Sequence, residues 1–307
     1  MENKQFSALN PEILARWHKS AANLGIPKEA YRPNIRVVQA KDGSYSFGVI
    51  HNENRFKRVE STDRSNAISN CNLCDAVKLA QKEQVFNLLP YIRDKSFIVT
   101  LNKFPIIEGF SLCISTEEVP TYTTKNLEAL QPHLEMLLEL TSETGFELFH
   151  NSPGFGATIP KHEHWHLTTF RMGYDLAGRK YGFDYADKVS LKGAGGIKVM
   201  PEFPFAHLIF DDKDPGRIVS FLSKMHNEIG DRWDNHQIPH TVSMGYEGLL
   251  VCIGKQYMEK CRGSGDVAGH YVVRSKEDFE RMNYEECVGE LDKLLFRKDE
   301  INLERFI

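Results

Sequence analysis

Residues 151–170 read NSPGFGATIPKHEHWHLTTF, and no other stretch limits the fold as tightly. Histidines stand at 162, 164 and 166, interleaved with Glu163, Trp165 and Leu167. A β-strand sends successive side chains to opposite faces, so this alternation puts His162, His164 and His166 on one face and Trp165 and Leu167 on the other. Just ahead, Gly154, Phe155, Gly156, Ala157 and Thr158 form a small, glycine-rich run. Such a run suits a turn whose backbone N–H groups approach an anion closely. An anion cradle beside a histidine row points to phosphate chemistry. The competing readings are a structural role for the row and a metal site using all three imidazoles as joint ligands.

The chain divides naturally around this feature. A helix is expected over residues 10–25, with Asn10 as N-cap, Pro11 at its first position and Gly25 closing it. Alternating stretches from Ile35 to His51 flank Asp42-Gly43, a hairpin signal. Arg32, Arg36, Arg55 and Arg58 lie around that hairpin as surface charges or as phosphate ligands. Leu127, Leu130, Leu134, Leu137 and Leu138 recur at helical spacing, with Pro132 expected to kink or restart the helix. A strand over 146–150 then leads into the glycine turn and the histidine row.

After Gly193–Gly196, the best junction, the order of elements recurs: a strand over 205–210, a helix opened by Asp214-Pro215, and strands over 241–244 and 249–253. This second copy carries no histidine row. Ser275 with Asp278 opens a C-terminal helical region.

Cys71-Asn72-Leu73-Cys74 can place two thiolates at adjacent corners of a zinc tetrahedron; a redox dithiol is the alternative. A net charge of −4 and a pI near 6.3 give no global attraction to nucleic acid or anionic membrane. No leader-like segment and no run of membrane-spanning length is evident, so the setting read from the sequence is cytoplasmic.

The histidine row resembles the signature of the histidine-triad superfamily. More narrowly, it is similar to the branch containing galactose-1-phosphate uridylyltransferase, the diadenosine tetraphosphate phosphorylases and the GDP-hexose phosphorylases. Leu101-Asn102-Lys103-Phe104-Pro105 with Glu108-Gly109, Phe203-Pro204-Phe205-Ala206-His207 and the segment from Ala268 to Ser275 extend the resemblance over most of the chain from about residue 30. It implies an α+β fold of duplicated histidine-triad-like halves, an antiparallel sheet with flanking helices. Residues 1–195 would be the catalytic half and 196–307 a degenerate second half with C-terminal helices.

The resemblance also implies roles. His164 would be the nucleophile, forming a nucleotidyl-histidine intermediate, with His166 as its catalytic neighbour. Asn102, Lys103, Asn151, Gly154, Gly156 and Thr158 would bind nucleotide and phosphate, and Lys161 is a further candidate for the phosphoryl charge. Cys71, Cys74 and His162 match three positions of a zinc site, and Glu118 stands where relatives often carry a histidine.

Two departures stand out. Lys161 is an apparent insertion before the first histidine, and His166 replaces the glutamine usual in this branch. The implied activity is nucleotidyl transfer or phosphorolysis on a nucleoside diphosphate sugar or dinucleoside polyphosphate. Phosphate or a sugar phosphate would be acceptor, with no nucleic-acid or membrane partner; oligomeric state is left open. The alternatives are a nucleotide pyrophosphate hydrolase, a three-histidine metal-dependent enzyme and a non-catalytic nucleotide-binding protein.

Overall fold

The computed structural model describes residues 11–43, 45–53, 55, 71, 73–77, 96–122, 127–157, 159–168, 189–190, 196–201, 203–210, 214–233, 237–245, 248–256, 264–267 and 269–307. It is a mixed α+β architecture with an antiparallel sheet and flanking helices, as expected. Among the described residues no helix is long and apolar enough to cross a membrane.

Helix α1 (Pro11–Asn23) ends as its sequence dictates. Gly25 takes φ +65°, Ile26 N–H donates to Ala21 O at 2.9 Å and Gly25 N–H to Ala22 O at 3.0 Å, satisfying carbonyls left over at the helix end. Its Ile13, Trp17 and Ala21 stripe is buried. Strands β1 (Asn34–Gln39) and β2 (Ser46–His51) form the expected hairpin, with Gly43 at φ +75° in the connection. Arg36 donates from Nε to Phe279 O at 3.0 Å and also to Met282 O, so this arginine secures a C-terminal helix end.

A nine-stranded sheet organises the rest. Its strands are β3 (Phe97–Leu101), β4 (Ser111–Ser115), β5 (Glu147–Asn151), β6 (His164–Thr168), β7 (Val189–Ser190), β8 (Ile197–Val199), β9 (His207–Phe210), β10 (His240–Gly245) and β11 (Gly248–Ile253). Their order across the sheet is β3-β4-β6-β5-β10-β11-β9-β8-β7. Helix α2 (Leu130–Thr144) connects β4 to β5, and α3 (Pro215–Ile229) connects β9 to β10. Pro132 lies in the first turn of α2, where its missing N–H has no intrahelical partner to lose, so the helix starts at Leu130 rather than kinking. For α3, Asp214 caps the N-terminus by accepting from Gly216 N–H at 2.8 Å.

The two faces differ in what covers them. One packs against the helices through Leu148, Trp165, Leu167, Val242, Met244 and Val251, joined by Trp17, Leu134 and Leu222. The other carries His164 and His166. Farther along that face Phe149, Ile209 and Leu250 pack with Phe47, Val49 and Tyr271 of a three-stranded sheet, in which the C-terminal β12 (His270–Val273) runs parallel to β2. Each fully buried Leu, Ile or Phe contributes roughly 1.5–3 kcal/mol, so both faces are strongly held.

Candidate active site and metal centre

The histidine row enters the sheet at His164. His162 lies one step earlier, in a bend, because the chain between the glycine turn and β6 is still closing a turn: His162 N–H donates to Ile159 O at 3.3 Å. Within β6, His164 lies opposite Ile114 and His166 opposite Leu112, while Trp165 faces Cys113 on the core side. Strand alternation therefore holds for His164 and His166 but not for His162, which the bend turns away, and the three imidazoles do different things.

His162 is buried and turns to the cysteine pair. Its Nδ1 lies 3.1 Å from Cys71 Sγ and 3.4 Å from Cys74 Sγ, and these three donor atoms all lie within 4.8 Å of one another. Tetrahedral zinc with ordinary Zn–S and Zn–N bonds would set S···N separations of about 3.5 Å, so the donor set fits a tetrahedral ion. At the far side of the ring Nε2 donates to Ser115 O at 2.8 Å, which leaves the Nδ1 lone pair facing the sulfurs. Loss of hydration, then the adjacent Cys71 and Glu118, push the Cys74 thiol up to about 12. A cation is what would relieve that crowding. Glu118 Oε2 lies 3.6 Å from Cys74 Sγ, but it is not among the mutually close donor atoms. Neither are His164 and His166, so the three-histidine ligand cluster does not form among the described residues.

His164 is oriented by backbone. Its Nδ1 lies 2.9 Å from His162 O, and a carbonyl only accepts, so Nδ1 carries the proton and Nε2 the lone pair. His166 stacks on Phe110, with ring centroids 5.5 Å apart and planes at 26°. The guanidinium of Arg55 lies 5.7 Å from the Phe110 centroid and donates to Phe104 O at 2.8 Å. Arg32 pairs with Glu108 at 3.3 Å.

The loop carrying Phe110 also carries Asn102 and Lys103. Asn102 is buried; its Oδ1 accepts from Phe104 N–H at 3.0 Å, and its Nδ2 has no acceptor among the described residues. A buried amide donor with nothing to bond costs stability unless a ligand or water completes it. Lys103 is exposed. This loop is pinned by Asn52, whose buried Nδ2 lies 2.9 Å from Ala30 O, 3.1 Å from Pro105 O and 3.0 Å from Ile106 O.

Asn151 ends β5, where Phe149 lies opposite His166; continuing that register puts Asn151 opposite His164. Gly154 and Gly156 both take φ +82°, a conformation that excludes most side chains, while Phe155 between them is buried. Phe155 thus nails the turn to the core. Lys161 is exposed, and Thr158 and Arg58 lie outside the described residues.

Sequence reading passed over Phe110, Asn52, Thr121, His150 and Glu163. Only Glu163 left a usable signal: a carboxylate on the face shared with Trp165 and Leu167, where a charge is out of place.

With this geometry in hand, residues 16–169 match the family described as "Domain of unknown function (DUF4922)". The chain belongs to that family. The DUF4922 match spans every site residue named above, from Arg32 to His166. No curated protein matches the sequence. Among solved structures, yeast Ap4A phosphorylase Apa2 in complex with Ap4A superposes with a TM-score of 0.60 at 13% identity, covering 94% of this chain and 99% of that one. The same yeast enzyme in complex with AMP gives 0.57 at 12% identity, covering 94% and 98%. This DUF4922 chain therefore has the Ap4A phosphorylase fold over nearly its whole length.

Proposed function

We propose that the protein is a nucleotidyltransferase of the histidine-triad branch that cleaves a dinucleoside polyphosphate or a nucleoside diphosphate sugar, with phosphate as the favoured acceptor. The carrying observation is the His164 Nδ1 to His162 O hydrogen bond, which assigns the lone pair to Nε2 on the same face as His166 and Asn151. The yeast fold neighbours, captured with AMP and Ap4A, support a nucleotide substrate.

In the first step His164 Nε2 attacks the α-phosphorus. A P–N bond forms as the P–O bond to the leaving nucleotide or sugar phosphate breaks, and His166 supplies a proton to the departing oxygen. In the second step a phosphate oxygen attacks the same phosphorus, the P–N bond breaks, and a nucleoside diphosphate leaves. Asn102 Nδ2 and Asn151 are the proposed donors to the phosphoryl oxygens, with Gly154 and Gly156 letting the turn approach the phosphate closely and Thr158, Lys103 and Lys161 as further contributors.

Cys71, Cys74 and His162 are the residues that would hold zinc, with Glu118 the candidate fourth ligand. When bound, the ion would cross-link Cys71 and Cys74 to the entrance of β6 and stabilise that corner of the fold.

The proposal includes a duplicated chain, 1–195 active and 196–307 degenerate. Its support is that β4-α2-β5-β6 and β9-α3-β10-β11 share one order of elements and take the same places either side of the β5–β10 pair. On β11 the residues facing the same way as the histidines are Leu250 and Cys252, which cannot do this chemistry. A cytoplasmic setting, where thiols stay reduced, suits a Cys-x-x-Cys metal site and is part of the proposal.

The test is incubation with Ap4A and with a panel of nucleoside diphosphate sugars, with and without inorganic phosphate, reading products by mass. Phosphate-dependent release of a nucleoside diphosphate is expected. Failure to consume any of them would leave the non-catalytic nucleotide-binding alternative.

A further inference from the structure

Glu163 sits between the metal-facing His162 and the nucleophile candidate His164, with its side chain on the helix-covered side of the sheet. It is fully buried; its backbone groups and Oε2 are hydrogen-bonded, while Oε1 has no hydrogen-bond partner among the described residues. Oε2 accepts from Tyr122 N–H at 3.0 Å, and both carboxylate oxygens lie 3.4 Å from His150 Nε2. Glu163 N–H donates to Val119 O at 2.8 Å, and Glu163 O accepts from Ser115 N–H at 3.0 Å. His150 is held in turn against Trp165, ring centroids 4.6 Å apart.

The segment 119–122, which Glu163 holds through Tyr122 N–H, packs on one peptide group, the bond between His162 and Glu163. Its N–H is taken by Val119. Its carbonyl oxygen accepts from Thr121 Oγ1 at 3.3 Å and from His164 Nδ1 at 2.9 Å. The plane of this peptide decides whether His164 keeps its proton on Nδ1. Rotation of the carbonyl would free Nδ1–H and allow the other tautomer, which puts the proton on Nε2, where the lone pair must be for attack. A carboxylate on a core face is expensive to desolvate, and an aliphatic side chain would pack there at lower cost. What an aliphatic residue cannot do is hold the 119–122 segment against the back of this peptide.

We propose that Glu163 and Thr121 are positioning residues that set the tautomer of His164 from behind the strand, Glu163 through Tyr122 and His150, Thr121 through the His162 carbonyl. The kinetic consequence rests on the nucleophile role proposed above; the tautomer itself does not.

The experiment uses the full zinc-supplemented chain with isotope-labelled histidine, and reads the ring nitrogens of His164 by NMR, assigned by difference against His164→Ala. Wild type is expected as the single Nδ1–H tautomer. Glu163→Leu and Thr121→Val should each show a tautomer mixture, and Glu163→Gln, whose amide oxygen still accepts from Tyr122, should restore the wild-type pattern.

In turnover, Glu163→Leu should lose roughly 100-fold and Thr121→Val roughly tenfold in kcat with KM within about threefold, the scale of a small misplacement of a reacting group. A purely structural role would lower thermal stability without moving the tautomer or separating kcat from KM. If both folded variants keep the pure Nδ1–H signature, the proposal is overturned. Should Glu163→Leu fail to fold, Thr121→Val and Glu163→Gln decide it by the same signal: a wild-type tautomer in Thr121→Val, or a mixture in Glu163→Gln, refutes it. If wild type consumes no nucleotide, the kinetic reading falls while the ring-nitrogen measurement still judges the positioning role.

Discussion

The ring of His164 donates from Nδ1 to the backbone oxygen of His162, 2.9 Å away, so the histidine that faces Cys71 and Cys74 is tied through its own carbonyl to the proposed nucleophile two residues on. That relationship separates their roles, and the first prediction follows from it. His164→Ala should lower kcat by at least about 1,000-fold, the scale of losing a covalent nucleophile, while zinc content stays at the wild-type level. Rapid acid-free quenching of the wild type should show a mass increase of one nucleoside monophosphate on His164. A His164→Ala enzyme with full activity would end the covalent mechanism.

His166 stacks on Phe110 rather than joining the cluster of Cys71, Cys74 and His162. Glutamine at this position can hold a phosphoryl oxygen but cannot donate a proton as histidinium does. His166→Gln should therefore keep nucleotidyl transfer within about tenfold of wild type, a modest share of a general-acid contribution, and should raise phosphorolysis relative to hydrolysis. Nucleoside diphosphate against monophosphate, quantified with phosphate present, gives the ratio. An unchanged ratio would place acceptor choice elsewhere in the pocket.

Zinc analysis of protein purified without chelator should give about one ion per chain if Cys71, Cys74 and His162 act as its ligands. Cys71→Ser removes a sulfur 3.1 Å from His162 Nδ1 and should lower both zinc content and the unfolding temperature. Equal zinc loss in His164→Ala would favour a different ligand set.

Gly254 sits where a Cβ would fall 2.8 Å from Phe155 Cδ2 and 3.0 Å from Pro239 O. Neither neighbour can retreat, since Phe155 is buried between the two positive-φ glycines. Gly254→Ala should destabilise the chain by about 1–3 kcal/mol, typical of overpacking, and raise the KM for nucleotide as the turn shifts. Denaturant unfolding and steady-state kinetics check both; a stability loss with unchanged KM would detach the turn from phosphate binding.

Burial holds His207 and His240 down to about 4 and His270 to about 3. A histidine unfolds to an ordinary value near 6.5, so between about pH 4 and 6.5 the unfolded chain binds more protons than the native one. Stability should therefore fall as pH drops through that window, by up to about 1.4 kcal/mol per pH unit for each of these residues. Thermal unfolding at pH 7.5, 6 and 5 measures it, on the order of the window that linkage sets. His270→Gln should flatten the slope; an identical slope would mean that His270 is already protonated in the native fold.

Much of this protein was written in local pattern. Alternation across residues 164–168 determined which histidines share a face, glycine at 154 and 156 determined a positive-φ turn, and Gly25, Gly43, Asp214 and Pro215 marked element ends, because each depends on backbone geometry within a few residues. Tertiary structure alone decided the rest. Cys71 and His162 are far apart in the chain and meet only when the sheet closes, so their geometry was invisible in spacing. Phe110 reaches His166 through the β4–β6 register, and Asn52 secures the Asn102 loop from another sheet. Glu163 was legible as a charge on a core face, but its partners Tyr122 and His150 arrive from two other segments. The division has a physical cause: local rules act over one turn or one pleat, whereas a site assembled from four chain segments exists only once long-range packing has chosen their register.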